Sequence, residues 1–542
     1  MTIARANLEV SRQSDGALGY AACMTWKPEL DDLAHRARLA REMGGEERVA
    51  RARAAGRLTV RERIDRLLDA GSFHETGVLA GRAEYDAAGQ LASFTPSNFV
   101  CGTGRIEGRR VVVGGDDFTV RGGAADGAIG NKMGWAEKAA HDLRLPLVRL
   151  VDGTGGGGSV KQQTSMRRSY VPALPDWNVS VELLSFVPVA AAALGPVAGL
   201  GAARVAASHF SVMVRGTSQV FVAGPPVVRR ALGREVTKEE LGGSAIHARG
   251  SGVVDNEAAT EDDALAQVRR FLSYLPASVF EAPPRVPPTD DPQRREEALL
   301  SFVPRERRKP YDVRRLLELV LDRGSVFELA RYYGRPLLIA LARLDGIPIG
   351  VMANDPRQLA GSPDADASQK MARFVDFCDQ FHLPVLNFVD NPGFLIGVEA
   401  EKRGTVRQGV RALIAVYQAR VPWCSVIVRR VFGVAGAGHG QHHRLNLRYA
   451  WPSGEWGSLP IEGGVEAAYR RQLDASDDPD ALRARLEGEL ASLRSPFLTA
   501  EAFGVEEIID PRDTRPLLVE WARTAYEIVK QELGIRTRGL RV

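Results

Sequence analysis

An internal repeat constrains this chain more than any other feature of its sequence. Three short segments recur in the same order: GRIEG from Gly104 as ARLDG from Ala342, LPLVRLVDGTGG from Leu145 as LPVLNFVDNPGF from Leu383, and VAGLG from Val197 as VAGAG from Val434. The first two offsets are both 238 residues (342 − 104 and 383 − 145), and the third is 237 (434 − 197). One such match can arise by chance, but three in one order indicate a duplicated domain.

A Pro-rich segment separates the two halves. The stretch EAPPRVPPTDDPQRREE from Glu281 contains Pro283, Pro284, Pro287, Pro288 and Pro292. Prolines at this density disfavour helix and sheet and favour a stiff extended linker. We therefore predict an N-terminal extension (1–24), an N-terminal domain (25–282), a Pro-rich linker (283–304) and a C-terminal domain (305–542).

Strands and helices alternate within each half. A hairpin (106–113; 344–352) is followed by a helix (132–143; 367–381), a buried apolar strand (147–151; 385–389) and a Gly-rich loop. Near the N-terminus, Thr59-Val-Arg-Glu62 has the pattern of a capping box and predicts a helix to Leu68. The alternation predicts an α/β fold with covered sheets.

Charge and cysteine content exclude several classes of protein. The 71 basic and 67 acidic residues give a formal net charge of +4, which does not indicate a nucleic-acid or membrane-surface partner. None of the four cysteines forms a C-x-x-C pair, which argues against a zinc ribbon and a disulfide framework. The N-terminus lacks an apolar signal core, and the small-apolar stretch 187–197 is too short to span a bilayer. We expect a cytoplasmic protein without a membrane or nucleic-acid partner.

The Gly-rich loop after the first buried strand admits two interpretations. It contains G-x-G-x-x-G at Gly153, Gly155 and Gly158, as a dinucleotide-binding loop does. The residues that follow, SVKQQTSMRRSYVPALP, do not begin an apolar helix, and the second-half equivalent, DNPGF from Asp390, resembles no nucleotide loop. A dinucleotide site is therefore the less favoured interpretation.

A second pair of loops is rich in small residues. The segment 195–204 leads into an Ala-rich helix, and 429–438 repeats the pattern in the second half. Backbone N–H groups at a helix start can stabilise a developing negative oxygen, and small residues allow a ligand to approach them. The alternative interpretation is tight helix packing alone.

Three histidines, His439, His442 and His443, follow the second of these loops. No nearby carboxylate or cysteine completes a standard ligand set, and the spacing is not H-E-x-x-H. We therefore favour pocket-lining or surface histidines over a metal site, and expect no metal in this chain.

Together these features resemble the carboxyltransferase (β) subunits of biotin-dependent acyl-CoA carboxylases of the propionyl-CoA and methylcrotonyl-CoA carboxylase type. The resemblance extends over almost the whole chain from about Ala34, with lysines at Lys132 and Lys370 as in the family. The matching stretches are GDDFTVRGG from Gly115, GPPVV from Gly224, ELGG from Glu240, ANDP from Ala353, FVDFC from Phe374, FVDNPGF from Phe388 and AWP from Ala450.

The resemblance implies a fold and an assembly. The expected fold is α/β, with two tandem crotonase-like (ClpP/crotonase ββα-spiral) domains. Six subunits would form a trimer of dimers, with each active site between the N-domain of one subunit and the C-domain of its partner. The N-domain would hold acyl-CoA and the C-domain carboxybiotin.

The resemblance also implies the site residues. The first oxyanion hole falls at Gly199 and Leu200. The second falls among Val434, Ala435 and Gly436, and Gly155, Gly156, Gly433 and Ala437 are the expected cofactor-binding residues. The first hole would stabilise the enolate of the acyl-CoA and the second the ureido oxygen of biotin, so no side-chain base is required.

Three departures from the family pattern leave the acyl substrate open. Leu200 replaces a second glycine, the other hole reads Gly433-Val434-Ala435 instead of Gly-Gly-Ala, and the loop after Asp152 is enlarged. Ala437, just past the second hole, is the expected specificity position.

The expected cofactors and partners follow from what the chain lacks. It has no Ala/Val-Met-Lys-Met biotinylation site and no ATP-grasp region. A separate α subunit is therefore expected to supply biotin carboxylase and the biotin carboxyl carrier, with a coenzyme A thioester as substrate. Two alternatives stay open: a biotin-dependent acyl-CoA decarboxylase of the same fold, and a non-catalytic assembly subunit in which Leu200 and Val434 close the holes.

Overall fold

The computed structural model describes residues 25–123, 130–153, 163–164, 166–171, 173–174, 177–440, 443–444, 447–536 and 539. Within these residues the chain forms two large mixed sheets of eight strands, one in each half of the sequence. The extension 1–24, the loop glycines Gly155 and Gly156, and His442 lie outside the described residues.

The first sheet is built from strands of the N-terminal half, with a separate antiparallel pair formed by the second and third strands. The strands are β1 (His74–Thr76), β2 (Gly81–Tyr85), β3 (Leu91–Pro96), β4 (Phe99–Ile106), β5 (Arg109–Asp116), β6 (Leu147–Gly153), β7 (Val189–Ala198), β8 (Phe210–Val214), β9 (Gln219–Phe221) and β10 (Asn256–Ala258). The order is β1-β4-β5-β6-β7-β8-β10, with β9 paired to β7. Strands β1, β4 and β5 pair antiparallel, and the pairings from β5 onward are parallel.

The second sheet repeats this arrangement. Its strands are β11 (Phe327–Leu329), β12 (Leu337–Leu344), β13 (Ile347–Asn354), β14 (Val385–Asn391), β15 (Trp423–Phe432), β16 (Leu447–Ala450), β17 (Glu455–Gly457) and β18 (Glu507–Ile508). The order is β11-β12-β13-β14-β15-β16-β18, with β17 paired to β15. The prediction of two tandem α/β copies is confirmed.

The register of the sheets corrects one of the three sequence matches. Gly153 pairs with Val197 in the first sheet, and Asn391 pairs with Val431 in the second. Positions in β4 to β6 therefore correspond at an offset of 238 (391 − 153), but those in β7 correspond at 234 (431 − 197). Matching Val197 to Val434 was wrong, because the segment between β14 and β15 is four residues shorter than the segment between β6 and β7.

Ten α-helices are described in the N-terminal half. They are α1 (Lys27–Arg41), α2 (Glu46–Ala54), α3 (Val60–Leu67), α4 (Gly130–Leu143), α5 (Trp177–Leu183), α6 (Leu200–Ala206), α7 (Pro225–Leu232), α8 (Lys238–Gly242), α9 (Ser244–His247) and α10 (Glu261–Ser273). The predicted capping box is confirmed, since the Thr59 hydroxyl accepts from the Glu62 N–H and the Glu62 carboxylate accepts from the Thr59 N–H.

Ten further α-helices are described in the C-terminal half. They are α11 (Val313–Val320), α12 (Ala365–Gln380), α13 (Val398–Lys402), α14 (Thr405–Gln418), α15 (Gly433–Ala437), α16 (Ile461–Ala468), α17 (Arg470–Asp474), α18 (Pro479–Ser492), α19 (Pro496–Glu501) and α20 (Thr514–Gln531). Short 3-10 helices cover 121–123, 297–301, 359–361 and 511–513. Residues 283–296 of the predicted linker contain neither helix nor strand.

The two halves share one hydrophobic core. Phe210 and Phe271 of the first half lie with ring centroids 4.9 Å apart, and Phe327 of the second half lies 5.7 Å from Phe210. Phe377 contacts Phe271 at 5.8 Å. Aromatic pairs at these separations are stabilising beyond the area they bury, so this cluster fixes one sheet against the other.

Candidate active site

A sharp strand-to-helix turn occurs at equivalent places in the two copies. Strand β7 ends at Ala198 and α6 begins at Leu200, while β15 ends at Phe432 and α15 begins at Gly433. Gly199 has φ +58° and Gly433 has φ +62°, a region that residues with a Cβ rarely adopt. The glycines therefore allow each strand to enter a helix directly, with the helix start at the end of the sheet.

The first of these turns presents the amides at the start of α6. The Gly199 N–H donates to the Phe221 carbonyl at 3.3 Å, and the Gly199 carbonyl accepts from the Ala203 N–H at 3.1 Å. The next amides, those of Leu200 and Gly201, belong to the first turn of the helix, where N–H groups have no intrahelical acceptor. An anion at this helix start would meet Leu200 and Gly201.

The second turn presents the amides of α15. Because this helix begins at Gly433, Val434 and Ala435 occupy its second and third positions, whose N–H groups also lack an intrahelical acceptor. Gly436 is the fourth residue and the first whose N–H has an acceptor within a helix. At the offset of 234, Val434 and Ala435 correspond to Leu200 and Gly201. The Val434 side chain is 65% exposed, so it is directed away from the protein interior.

The carboxyl end of α6 is held by a buried ion pair. Arg149 on β6 donates to the carbonyls of Arg204 at 3.1 Å and Ala207 at 2.6 Å. Its other N–H groups bind the Glu137 carboxylate at 2.9 and 2.6 Å. Burial alone would raise the pKa of Glu137, but the charge and hydrogen bonds of Arg149, with smaller contributions from Arg204 and Ser180, together outweigh burial and lower this pKa. A cation at the carboxyl end of a helix also interacts favourably with the helix dipole.

The chain just beyond α15 is held by neutral groups instead. Asn387, which corresponds to Arg149 at the offset of 238, donates from Nδ2 to the His439 carbonyl at 3.4 Å. The Trp423 indole N–H donates to the same carbonyl at 2.8 Å, and the Ser425 hydroxyl donates to it as well. The His439 imidazole Nδ1 lies 2.6 Å from the Gly436 carbonyl.

Buried arginine–carboxylate clusters support the strand ends beside both turns. Arg63 donates to Asp152 at 2.9 Å, to Glu261 at 2.7 and 2.8 Å and to the Leu194 carbonyl at 2.9 Å. Arg57 makes a further ion pair with Asp152. These contacts fix the end of β6, where the enlarged Gly-rich loop begins.

The second copy has an equivalent cluster around Asp390. Arg429 binds this carboxylate at 2.8 and 3.1 Å, and Arg430 binds it at 2.6 Å. The Asn354 Oδ1 accepts from the Asp390 N–H at 3.2 Å, and in the first copy Asp116 accepts from Asp152 in the same way at 3.1 Å.

The two family lysines are buried beside backbone and carboxylate groups. Lys370 Nζ donates to the Ala330 carbonyl at 2.9 Å and the Tyr333 carbonyl at 2.8 Å. Burial lowers the pKa of Lys370 to about 7. Lys132 Nζ lies 4.0 Å from Glu75, and burial lowers its pKa as well. In both lysines the contacts fix neighbouring segments of the fold.

The remaining sequence predictions concern the specificity position Ala437, a possible metal site, and the loop glycines. Ala437 is exposed at the end of α15, beside the second amide pair. Within the described ranges, no group of three or more His, Cys, Asp or Glu side chains could hold a metal ion. His442 and the loop glycines Gly155 and Gly156 lie outside those ranges, so their predicted roles stay predictions.

Comparison with known proteins extends over almost the whole chain. The family described as carboxyl transferase domain matches residues 51–538. A propionyl-CoA carboxylase carboxyltransferase subunit of Haloferax mediterranei is 36% identical over 92% of this chain and 96% of its own length. The methylmalonyl-CoA decarboxylase subunit alpha of Veillonella parvula is 34% identical over 88% of this chain and 91% of its own.

A solved structure has the same fold. The transcarboxylase 12S crystal structure, a hexamer assembly with methylmalonyl-coenzyme A and methylmalonic acid bound, superposes with a TM-score of 0.83 at 30% identity. The match covers 95% of this chain and 99% of the 12S chain.

Fold and site together define an enzyme of the duplicated α/β class, with a pair of backbone amides at the start of an equivalent helix in each copy. The chain belongs to the carboxyl transferase family, that of the carboxyltransferase subunits of biotin-dependent acyl-CoA carboxylases. Of the helices that the structure describes, none combines the length and apolar character needed to cross a membrane.

Proposed function

We propose that the chain transfers the carboxyl group from carboxybiotin to an acyl-CoA through an enolate, with one oxyanion hole in each copy. The observation that supports the proposal is the equivalence of the two turns. Leu200 and Gly201 lie at the start of α6, and Val434 and Ala435 lie in the same way at the start of α15. Two anions arise in this reaction, and two equivalent amide pairs are available for them.

The first pair is assigned to the acyl-CoA. Removal of a proton next to the thioester places negative charge on the carbonyl oxygen, and the N–H groups of Leu200 and Gly201 would donate to that oxygen. Donors placed in advance where charge develops lower the barrier most effectively. The positive end of the α6 dipole adds to this stabilisation.

The second pair is assigned to the ureido oxygen of biotin, through the N–H groups of Val434 and Ala435. When bound, carboxybiotin would supply carbon dioxide by cleavage of its N–carboxyl bond, and the ureido nitrogen released in this way would accept the proton. The exposed side chain of Val434 supports an open helix start, which argues against a hole closed by this residue. This chain therefore needs no catalytic histidine or glutamate.

The remaining parts of the proposal concern assembly. A separate subunit would carry biotin and the biotin carboxylase. Six copies of this chain would form a hexamer, because the similar 12S structure is a hexamer assembly. Each site would then lie between the N-terminal domain of one subunit and the C-terminal domain of another, with the domain boundaries predicted above. A cytoplasmic location remains a prediction.

A second candidate is a biotin-dependent acyl-CoA decarboxylase. It is favoured by one observation, the 34% identity to a methylmalonyl-CoA decarboxylase subunit alpha over 88% of this chain. The same two amide pairs would serve this reaction, since it runs through the same enolate.

The deciding experiment uses the chain copurified with its biotinylated partner. Acetyl-, propionyl-, butyryl- and methylcrotonyl-CoA are supplied with ATP and [14C]bicarbonate, and acid-stable label is measured. Carboxylation of at least one thioester that depends on the partner supports the proposal, and its absence with all four refutes it. Release of carbon dioxide from methylmalonyl-CoA without ATP-dependent carboxylation would favour the decarboxylase.

A further inference from the structure

Asn391 joins the loop after β14 to helix α15. Its Nδ2 donates to the Ala435 carbonyl at 3.0 Å, and its Oδ1 accepts from the Gly393 N–H at 3.0 Å. The side chain is buried, with 7% of its surface exposed. A single amide therefore ties the end of the strand to the helix that carries the second pair of donors.

Helix α15 needs such a contact because it is short. It has five residues, and a helix of this length is not stable through its own hydrogen bonds. Ala435 would direct its N–H toward the hole, while its carbonyl accepts from Asn391 and, at 3.2 Å, from the Gly438 N–H. Fixing the carbonyl restricts rotation about the Cα–C bond of Ala435 and so holds this residue in place at the start of the helix.

At the equivalent position the first copy has no side chain that could make this contact. The position that corresponds to Asn391 is Gly153, with φ +100°. A Cβ at this position would lie 3.1 Å from the Gly122 carbonyl oxygen and from the Gly123 Cα, which leaves little room for a side chain. Helix α6 is two residues longer than α15 and is held through Arg149 instead. Asn391 therefore serves the second helix specifically.

We propose that Asn391 is a positioning residue of the second oxyanion hole, which holds the Ala435 N–H toward the ureido oxygen of biotin. This inference rests on the proposed function. It predicts that loss of the contact slows the chemical step on the carboxybiotin side and leaves acyl-CoA binding, assigned to the first copy, unchanged.

The test is Asn391→Asp in the holoenzyme with its biotinylated partner. The substitution is isosteric and keeps an oxygen for the Gly393 N–H, but a carboxylate cannot donate to the Ala435 carbonyl. Misplacement of a reacting group by about 1 Å can cost about 100-fold, so we expect kcat to fall about 10- to 100-fold. The KM for the acyl-CoA should stay within about two-fold of that of the unsubstituted enzyme.

The matched control is Asn354→Asp in the same half of the chain. Asn354 is equally buried and makes two bonds of the same kind, from Nδ2 to the Gly361 carbonyl at 3.0 Å and from the Asp390 N–H to Oδ1 at 3.2 Å. It does not bind α15, and the first copy already has an aspartate, Asp116, at this position. We expect this variant to keep kcat within about two-fold.

Three outcomes decide the inference. A selective fall of kcat in Asn391→Asp supports it, whereas unchanged kcat, or equal losses in both variants, overturns it. If the unsubstituted holoenzyme transfers no carboxyl group, the proposed function fails, and crystal structures of the unsubstituted chain and Asn391→Asp then decide. Displacement of α15 at Ala435 with α6 unmoved would support the positioning role, and an unmoved α15 would overturn it.

Discussion

Replacement of Leu200 by proline tests the first oxyanion hole by removing one N–H group. Leu200 is the first residue of α6, where proline is favoured because its fixed φ suits a helix and its missing N–H has no helical acceptor. The preceding residue, Gly199, has φ 58° and ψ −119°, the mirror image of the extended conformation that proline requires before it. Glycine adopts this mirror region readily, so the backbone accommodates the change.

The expected magnitude follows from the role of the amide. Removal of one donor from an oxyanion hole lowers kcat by about 10² to 10³, or about 2.7 to 4 kcal/mol in the barrier. Because the enolate forms only along the reaction, the KM for the acyl-CoA should change little. Loss of the half-buried Leu200 side chain adds a separate cost, which is below the roughly 1.5 to 3 kcal/mol of a fully buried leucine.

The assay separates the amide from the side chain. Leu200→Ala also loses the leucine side chain but keeps the N–H, so the ratio of kcat in the two variants isolates the amide. Both are measured by [14C]bicarbonate incorporation into the best acyl-CoA substrate, with melting temperatures to verify folding. Equal kcat in folded Leu200→Pro and Leu200→Ala would refute the assignment of this N–H to the enolate.

Three further predictions concern specificity, acid stability and the support of the site. Ala437→Ile adds bulk beside the second amide pair and should lower kcat/KM for larger acyl-CoAs more than for acetyl-CoA; an unchanged substrate profile would contradict this role. Burial lowers the pKa of His209 to about 3 in the folded chain, where its Nδ1 accepts from the Val189 N–H at 3.0 Å. In the unfolded chain this imidazole has a pKa of about 6.5, so between these two pH values the unfolded chain binds one more proton than the folded chain. Stability should fall by about 1.4 kcal/mol per pH unit from this residue as the pH drops from 6.5 toward 3, and His209→Gln should show a smaller drop in melting temperature between pH 7 and pH 5 than the unsubstituted chain. Arg63→Lys leaves two buried carboxylates short of donors and should cost about 3 to 5 kcal/mol; an unchanged melting temperature would show that the cluster contributes little.

Features with a local signal were predictable from the sequence. The helix that begins after Thr59 could be predicted because its capping box depends on two residues three positions apart. The alternation of buried strands and helices gave the α/β class, and the matches at Gly104 and Leu145 gave the duplication. In each case the determining interactions act within a few residues, or the repeat itself is visible.

The pairing of the two turns was not predictable, because Val-Ala-Gly is a short pattern of small residues that can be aligned in more than one way. An offset of 237 places Gly199 opposite Gly436, whereas the sheet register places it opposite Gly433. Only hydrogen bonding between strands far apart in sequence distinguishes the two alignments. The corrected register makes Leu200 and Gly201 equivalent to Val434 and Ala435, and this moves the proposed donors by one residue in the first copy.

The buried supports of the site gave a weaker signal that sequence reasoning did not use. Arg149 interrupts the apolar run Leu147–Val151, and a charge within a buried strand requires a partner. The presence of a partner was therefore predictable, but its identity as Glu137 on α4 was not. Asn391 gave no such signal, because an asparagine before proline and glycine is also typical of an ordinary turn.

Three equivalent positions near the turns differ in chemistry between the two copies. At the offset of 238, the first copy has Asp116, Arg149 and Gly153, and the second has Asn354, Asn387 and Asn391. Burial raises the pKa of Asp116 to about 6, and this carboxylate lies 3.6 Å from Arg204 on α6. Protonation near this pH removes an attraction that holds α6, while the asparagines at the equivalent positions of the second copy do not titrate. Any acid sensitivity carried by these three pairs of positions therefore belongs to the first copy.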